Sequence, residues 1–485
     1  APLAALLATP AARDVEVGVA VLECLEALAR SGVTQAQIAV RNAGAVPQLI
    51  QLMSHQYARV ANLAASLVAD LCPGDAHNAE QLYESGGLVM LAEQLSSHDT
   101  KAQLQALSAL SQLSASPQQA GAIVDNGCVT PILEFLDHPS PELKSYAAIT
   151  FGNLCSSGSI PLSQLEHSSV LPHLVNILLS SNHLAKGPAA GALASMAHQP
   201  HLRTQIYQLG GLAGLMSLLG ARSDASYHAV QAIAQFAADE RYRASLAEIR
   251  GLEALPPLLA SPLPHVQLCA LSAVANISFV PSAASQLASA GALAHLGQLL
   301  FGAAESPMLL TAMVNILSSA PAAADSLLQV GGHMALLTSL SAPSVEVQSQ
   351  VVTAIGHLCR HPPALQAMLL ADTIPLLVRM LYSPHPSTQL QVVHALRVLA
   401  SEDDGAAAAI TLAGAVAPLT ALFLSTAAVD LKQHIALTLA HLARGDWRAI
   451  FYAGGFQALL ELLAVGPEDV QQDVSSCLGS LLEDA

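Results

Sequence analysis

A glycine-led apolar phrase returns eleven times along this chain, at intervals of 40 to 42 residues. It reads GAVPQLIQLM from Gly44, GGLVMLAEQL from Gly86 and GCVTPILEFL from Gly127, and starts again at Ser169, Gly210, Arg250, Gly291, Gly331, Asp372, Gly414 and Gly454. A fixed period in this range predicts a solenoid, in which each unit buries its apolar face only against its neighbours. Aromatic residues make up 4% of the 485 positions, so Leu, Ala, Val and Ile must build the core, and these favour close-packed helices.

Residues 33–74 show what one unit contains. Thr34 is placed to cap a short helix, and the Ala43-Gly44 corner ends it, since Gly accepts a left-handed backbone. Val46, Leu49, Ile50, Leu52 and Met53 have helical spacing, and Ser54-His55 make the next turn. Val60, Leu63, Ala64, Leu67, Val68 and Leu71 mark a third helix, stopped by Cys72-Pro73-Gly74. The expectation is an all-α, right-handed α-solenoid: eleven three-helix units over 33–485, and over 1–32 a partial unit whose chain continues upstream.

With one short and two longer helices per unit, the chain resembles the armadillo-repeat superfamily over nearly its full length. The glycine corners carry the resemblance, with third-helix phrases such as SYAAITFGNLC (145–155) and QLCALSAVANIS (267–278). HEAT repeats, with more equal helices and no glycine corner, rank second. The resemblance implies a concave groove lined by third helices, in which a recurring Asn clamps the backbone of an extended peptide, donating and accepting at once. The matching positions include Asn153, Gln235, Asn276, Asn315 and His357. The tryptophans one turn earlier that mark nuclear-import receptors are missing: Ser66, Ser108, Gly191, Gln231, Ser272, Thr311 and Thr353 stand there, and the one Trp, Trp447, falls in a first helix. The four Lys, at 101, 144, 186 and 432, do not make the basic groove of the β-catenin branch. The scaffold branch remains, including armadillo proteins of cilia, flagella and the cytoskeleton.

Charge and motifs narrow the function further. A net charge of −17, from 18 basic and 35 acidic residues, leaves no basic stripe for nucleic acid. Mean hydropathy is high at +0.48, yet Pro, Ser, Gln, His or Gly interrupts each apolar run before the roughly 20 residues of a membrane span, so no membrane insertion is expected. The GK of a P-loop, HExxH and GxSxG are all absent. The reading is a non-enzyme that needs no cofactor, metal or small-molecule substrate and has other proteins of a large assembly as partners. The alternatives are a soluble adaptor for a linear peptide, or a repeat arm whose catalytic domain lies upstream. Cys72, Cys155 and Cys359 share one register and read as small core positions of a reduced, cytoplasmic protein. His55, His98, His138, His183, His265 and His385 recur beside the second corner and read as turn residues.

Two stretches break the pattern. Between Arg250 and Arg360 no Lys or Arg occurs, and four acids, Glu253, Glu305, Asp325 and Glu346, are the only charges, where the chain's 11% would give about twelve. Interface cores are depleted in charge. The expectation is therefore that a partner covers this surface, with Gln267, Ser272, Thr311, Gln348 and Thr353 among its outward positions. The second stretch is Gly187-Pro188-Gly191, where Pro188 is expected in the first turn of a third helix and Gly191 either opens a notch or permits close packing.

Overall fold

The computed structural model of the chain describes residues 2–7, 14–31, 38–40, 42–71, 76–160, 170–180, 183–220, 224–302 and 306–455, with a few single positions beyond. Among these, helix is the regular structure and no strand occurs. The chain divides into two compact units, 1–236 and 237–485. Cys72, the Cys72-Pro73-Gly74 stop, Thr34 and the Ser169 corner lie outside the described residues.

Several repeats are described through all three of their helices. In the first unit, Ala76–Glu84, Gly87–Leu95 and Thr100–Leu113 are followed by Pro117–Asp125, the pair Val129–Glu134 and Phe135–Asp137, and Pro141–Ser156. In the second, Pro281–Ser289, Ala292–Leu300 and Pro307–Ser319 are followed by Pro321–Ala323 with Ala324–Gln329, Gly332–Ser339 and Val345–Leu358. Proline explains many of the starts: Pro117, Pro200, Pro281 and Pro362 open first helices, where their missing N–H is one the helix could not pair.

Within each unit, consecutive third helices stack: Ala58–Leu71 on Thr100–Leu113, then Pro141–Ser156, then His183–Met196; and Pro264–Ile277 on Pro307–Ser319, Val345–Leu358, Pro386–Glu402 and Val429–Tyr452. Their buried faces are Leu, Val and Ile interleaved with many Ala, as in Ala147, Ala148, Phe151 and Leu154. Small residues let the backbones approach. A side chain at Gly152 would sit 3.2 Å from the Ala192 backbone.

The corners obey backbone sterics. Gly44, Gly86, Gly127, Gly210, Gly291, Gly331, Gly414 and Gly454 all have φ between 65° and 80°. At Gly210 nothing lies within 4 Å of where a Cβ would stand, so φ alone demands glycine. Its neighbour Gly211 is needed for space: a Cβ would meet Ile206 Cγ2 at 2.7 Å and its carbonyl at 3.0 Å. Among the described residues, two corners depart from glycine at the anchor. At the Arg250 anchor the turn moves one residue on, to Gly251 with φ 122°. At the other, Asp372 itself takes φ 52°, a conformation that Asp tolerates better than most side chains.

Two expectations are corrected. Pro188 is not in the first turn, because its helix already runs from His183. Proline offers no N–H to the carbonyl one turn back, that of Leu184, and Ser145 Oγ of the preceding third helix donates to it instead, at 3.2 Å. Gly187 and Gly191 permit close packing, their missing side chains facing Ala225 at 3.4 Å and the His228 ring at 3.2 Å. Near the end, the third helix of the tenth repeat and the first of the eleventh are one helix, Val429–Tyr452, which carries the backbone of Trp447. No proline opens the eleventh repeat, and Gly445 alone does not break the helix.

The thiol of Cys359 sits in the core expected of it and that of Cys155 at the core's edge, burial pushing both up to about 12. His55 and His138 are turn residues, each accepting through Nδ1 the backbone N–H two positions on, at 3.2 and 3.1 Å. Among the described residues no single helix is long and apolar enough to cross a membrane; Asp404–Leu412 and Val416–Ser425 reach that length only as a pair bent by 80° at the Gly414 corner.

Because φ is the constraint at these corners, Gly210→Ala is expected to cost about 1 kcal/mol. Asp372→Val, which puts a β-branched residue in the same region, is expected to cost about 1–2 kcal/mol. Urea-unfolding midpoints of the two variants against the parent chain check both.

Candidate functional site

Polar side chains on the third helices are spent largely on each other, forming rungs between successive repeats. In the first unit Arg30 donates to Asp70 Oδ2 at 2.8 Å and Ser66 Oγ at 2.7 Å, and Asn62 Nδ2 to Asp99 Oδ2 at 3.0 Å. Asn153 Nδ2 donates to Ser114 Oγ at 3.0 Å and to the Ser111 carbonyl at 3.3 Å. In the second unit Asn315 Nδ2 donates to Ser278 Oγ at 3.0 Å. Ser114 and Ser278 are the C-cap residues of the preceding third helices, so each Asn ties one helix to the end of the last.

The predicted clamp residues differ in how far they are already engaged. Asn153, Gln235, Asn276, Asn315 and His357 are each partly exposed on a third helix. The amide N–H of Asn153 and Asn315 is used internally, and among the described residues no hydrogen bond reaches either Oδ1. Asn276 has both ends occupied: Nδ2 donates to the Ser272 carbonyl at 2.9 Å, and Oδ1 accepts from Arg243 Nη2 at 3.4 Å. What Asn153 and Asn315 can still offer an extended chain is an acceptor for its N–H.

The residues expected to face outward from the charge-poor stretch are partly exposed and also bond within the fold. Gln267 Nε2 donates to the Leu259 carbonyl and Gln348 Nε2 to that of Ala342, both at 2.9 Å. Gln103 and Gln389 do the same to Ser97 and Ser383. The shared role is to cap the last carbonyls before each third helix, and the signal was there to read, since all four Gln lie 17 residues after a repeat anchor. Thr311 accepts from Gln350 Nε2, and Thr353 Oγ lies against Gln391, each at 3.0 Å, making further rungs. Ser272 is the partner of Asn276 just described. The exposed side chains of this stretch include large apolar ones, Leu268 (61%), Phe279 (54%), Phe301 (63%) and Met334 (49%), beside polar ones such as Gln286, Gln298 and Gln329.

A different arrangement gathers around His357. Val345–Leu358, Pro386–Glu402 and Val429–Tyr452 pack in series and bring His357, His394 and His434 together with Arg360 and Arg397. The His394 and His434 rings meet edge to face with centroids 5.6 Å apart. Gly356 packs beside this group, its Cβ position lying 3.8 Å from His394 Nδ1. Among the described residues no hydrogen bond or ion pair engages the side chain of Arg360 or Arg397, and Arg397 Nε, His357 Nδ1 and His434 Nδ1 are buried without a partner. Burial, then the charge of Arg397, pushes the His394 imidazole down to about 4. Burial followed by Arg360 lowers His357, and burial followed by Arg397 lowers His434, with Asp430 opposing. Among the described residues no His, Cys, Asp and Glu side chains group as ligands of a metal ion.

These shifts set a pH dependence. The folded chain holds His394 neutral, while the unfolded chain protonates it near its ordinary 6.5. The stability this contributes is complete above that value and is lost as pH falls from about 6.5 toward 4. For a half-buried ring the loss, discounted for solvent screening, is on the order of 1 kcal/mol. Thermal melts at pH 7 and pH 5 should show the parent losing more stability on acidification than His394→Gln.

Comparison with known proteins follows the same lines. An armadillo/beta-catenin-like repeat model matches residues 116–156, and a HEAT-like repeat model matches 345–397. No curated protein sequence matches the chain. A solved structure from work on a phosphorylation switch in the interaction between cadherin and beta-catenin aligns at 17% identity, over 99% of this chain and 98% of that one, with TM-score 0.62. A designed armadillo repeat protein aligns at 23% identity, over 48% of this chain and 99% of its own, with TM-score 0.43. The 40-to-42-residue period, the three-helix unit and the repeat matched over 116–156 agree on armadillo-like repeats, and the 17%-identical structure shares the solenoid fold.

Proposed function

We propose that this chain is a binding scaffold, without catalysis of its own, that receives extended segments of partner proteins along its third helices. The observation that carries the reading is the half-used amide. Asn153 in the first unit and Asn315 in the second are fixed through their N–H groups, leaving Oδ1 oriented and available. An acceptor already held in place loses little freedom on binding, and preorganisation of this kind is what converts contacts into affinity. Peptides selected from a random library on the immobilised chain supply the test. Asn315→Ala and Asn153→Ala should each weaken such peptides by about tenfold, one lost hydrogen bond at a preorganised site. Unchanged affinities in folded variants would reject the clamp.

The charge-poor stretch favours a second contact within the same function, docking on a large assembly. Its support is the coincidence of four charges in 109 residues with exposed Leu268, Phe301 and Met334. Attachment to a ciliary or other cytoskeletal structure is the specific form of this reading. Leu268→Lys, Phe301→Lys and Met334→Lys together should leave the helical circular dichroism unchanged and abolish co-sedimentation of the tagged chain with that structure. Retained co-sedimentation would dismiss the docking surface.

A further inference from the structure

Among the described residues no carboxylate pairs with Arg360 or Arg397, which stand together in a chain whose acids outnumber its bases 35 to 18. Surface arginines in such a chain have carboxylates to spare, yet the negative side chain acting on this cluster is Asp430, beside His434. Arg397 is partly buried with Nε lacking an acceptor, and the Arg360 charge opposes its own. Three imbedded imbalances thus coincide: two like charges, an unmet buried donor, and imidazoles whose buried Nδ1 atoms on His357 and His434 meet nothing. One kind of group answers all three, an oxyanion that accepts from the guanidinium fork and from protonated imidazoles.

We propose that His357, Arg360, His394, Arg397 and His434 form a receiving site for an anionic side chain, carboxylate or phosphate, carried by an extended partner segment. The proposal deepens the scaffold reading and rests on it, naming the chemistry of what the third helices of residues 345–452 accept. Charge complementarity selects the occupant. A net charge of −17 repels polyanions at a distance, but screening confines that repulsion to about 8–10 Å, so the local cationic face governs an acidic segment once it arrives. Two arginines are too few for the salt-released binding of a nucleic acid.

The site carries a proton linkage. In the free chain burial and the two arginines keep the imidazoles neutral. An anion within hydrogen-bond reach reverses the larger part of that field and favours imidazolium, so binding takes up protons. Affinity must then rise as pH falls. The groups facing these rings are Arg360, Arg397, the other imidazoles and Asp430; Asp430 alone works in the opposite sense on His434 in the free chain.

The experiment measures fluorescence anisotropy of rhodamine-labelled octaglutamate, a phosphoserine-containing octapeptide, octaserine and octalysine with the full chain at pH 7.5 and 6.2. One or both anionic peptides should bind, the better of them marking the source of the anion, and tighten at least threefold at the lower pH. Arg397→Gln and the more exposed Arg360→Gln should each weaken binding tenfold or more, and His394→Gln should flatten the pH response while binding persists at pH 7.5. Anionic binding indifferent to both arginine variants, or equal binding of octaserine, would overturn the proposal. So would failure of both anionic peptides, and if library-selected peptides then still depend on Asn315, the scaffold reading stands without it. A chain that binds neither set loses both readings.

Discussion

Everything in this molecule depends on the contact of one third helix with the next. A single repeat has too little apolar surface to offset the entropy of ordering some forty residues, so each unit is stable only as a neighbour. The abundance of Ala and Gly on these faces follows directly. Where backbones come as close as Gly152 and Ala192, any larger residue would push the stack apart. The same closeness explains why polar groups on these helices find partners one repeat away: Asn153 reaches Ser114, Asn315 reaches Ser278 and Gln350 reaches Thr311. The rungs are a by-product of packing that the binding face then has to work around.

How much of this was legible in the sequence depended on whether a residue's role repeats. The corners were readable because a left-handed backbone admits few residues, and eleven copies average away the exceptions. Even the exceptions had physical signatures: Gly251 sits one place past Arg250, and Asp372 is among the few side chains that tolerate φ 52°. The fused helix Val429–Tyr452 was missed because a break was inferred from the period, where no proline enforces it. Gln267 and Gln348 have a further role that went unread, each being partly exposed and also capping a carbonyl. A polar residue in a charge-poor stretch invites an outward reading, but a helix end leaves carbonyls that a nearby amide will cap.

The histidine–arginine cluster lay beyond reach for the opposite reason: it does not repeat. His357 holds the groove register, but His394, Arg397 and His434 occupy three other registers, and only the rotation of each helix against the last brings them together. A search for a basic groove by counting lysines passes over it, because its charge comes from two arginines and its reserve from neutral rings.

The continuous helix Val429–Tyr452 has a consequence for how the chain comes apart. In a stack of separable repeats, opening spreads inward from an end one unit at a time, each step giving up a single interface. A helix shared between the tenth and eleventh repeats removes that option between these two, since opening the eleventh also strips backbone hydrogen bonds from the helix that carries His434. The two repeats then open as one foldon, and the amides around His434 exchange with the stability of the pair rather than with that of the tenth repeat alone.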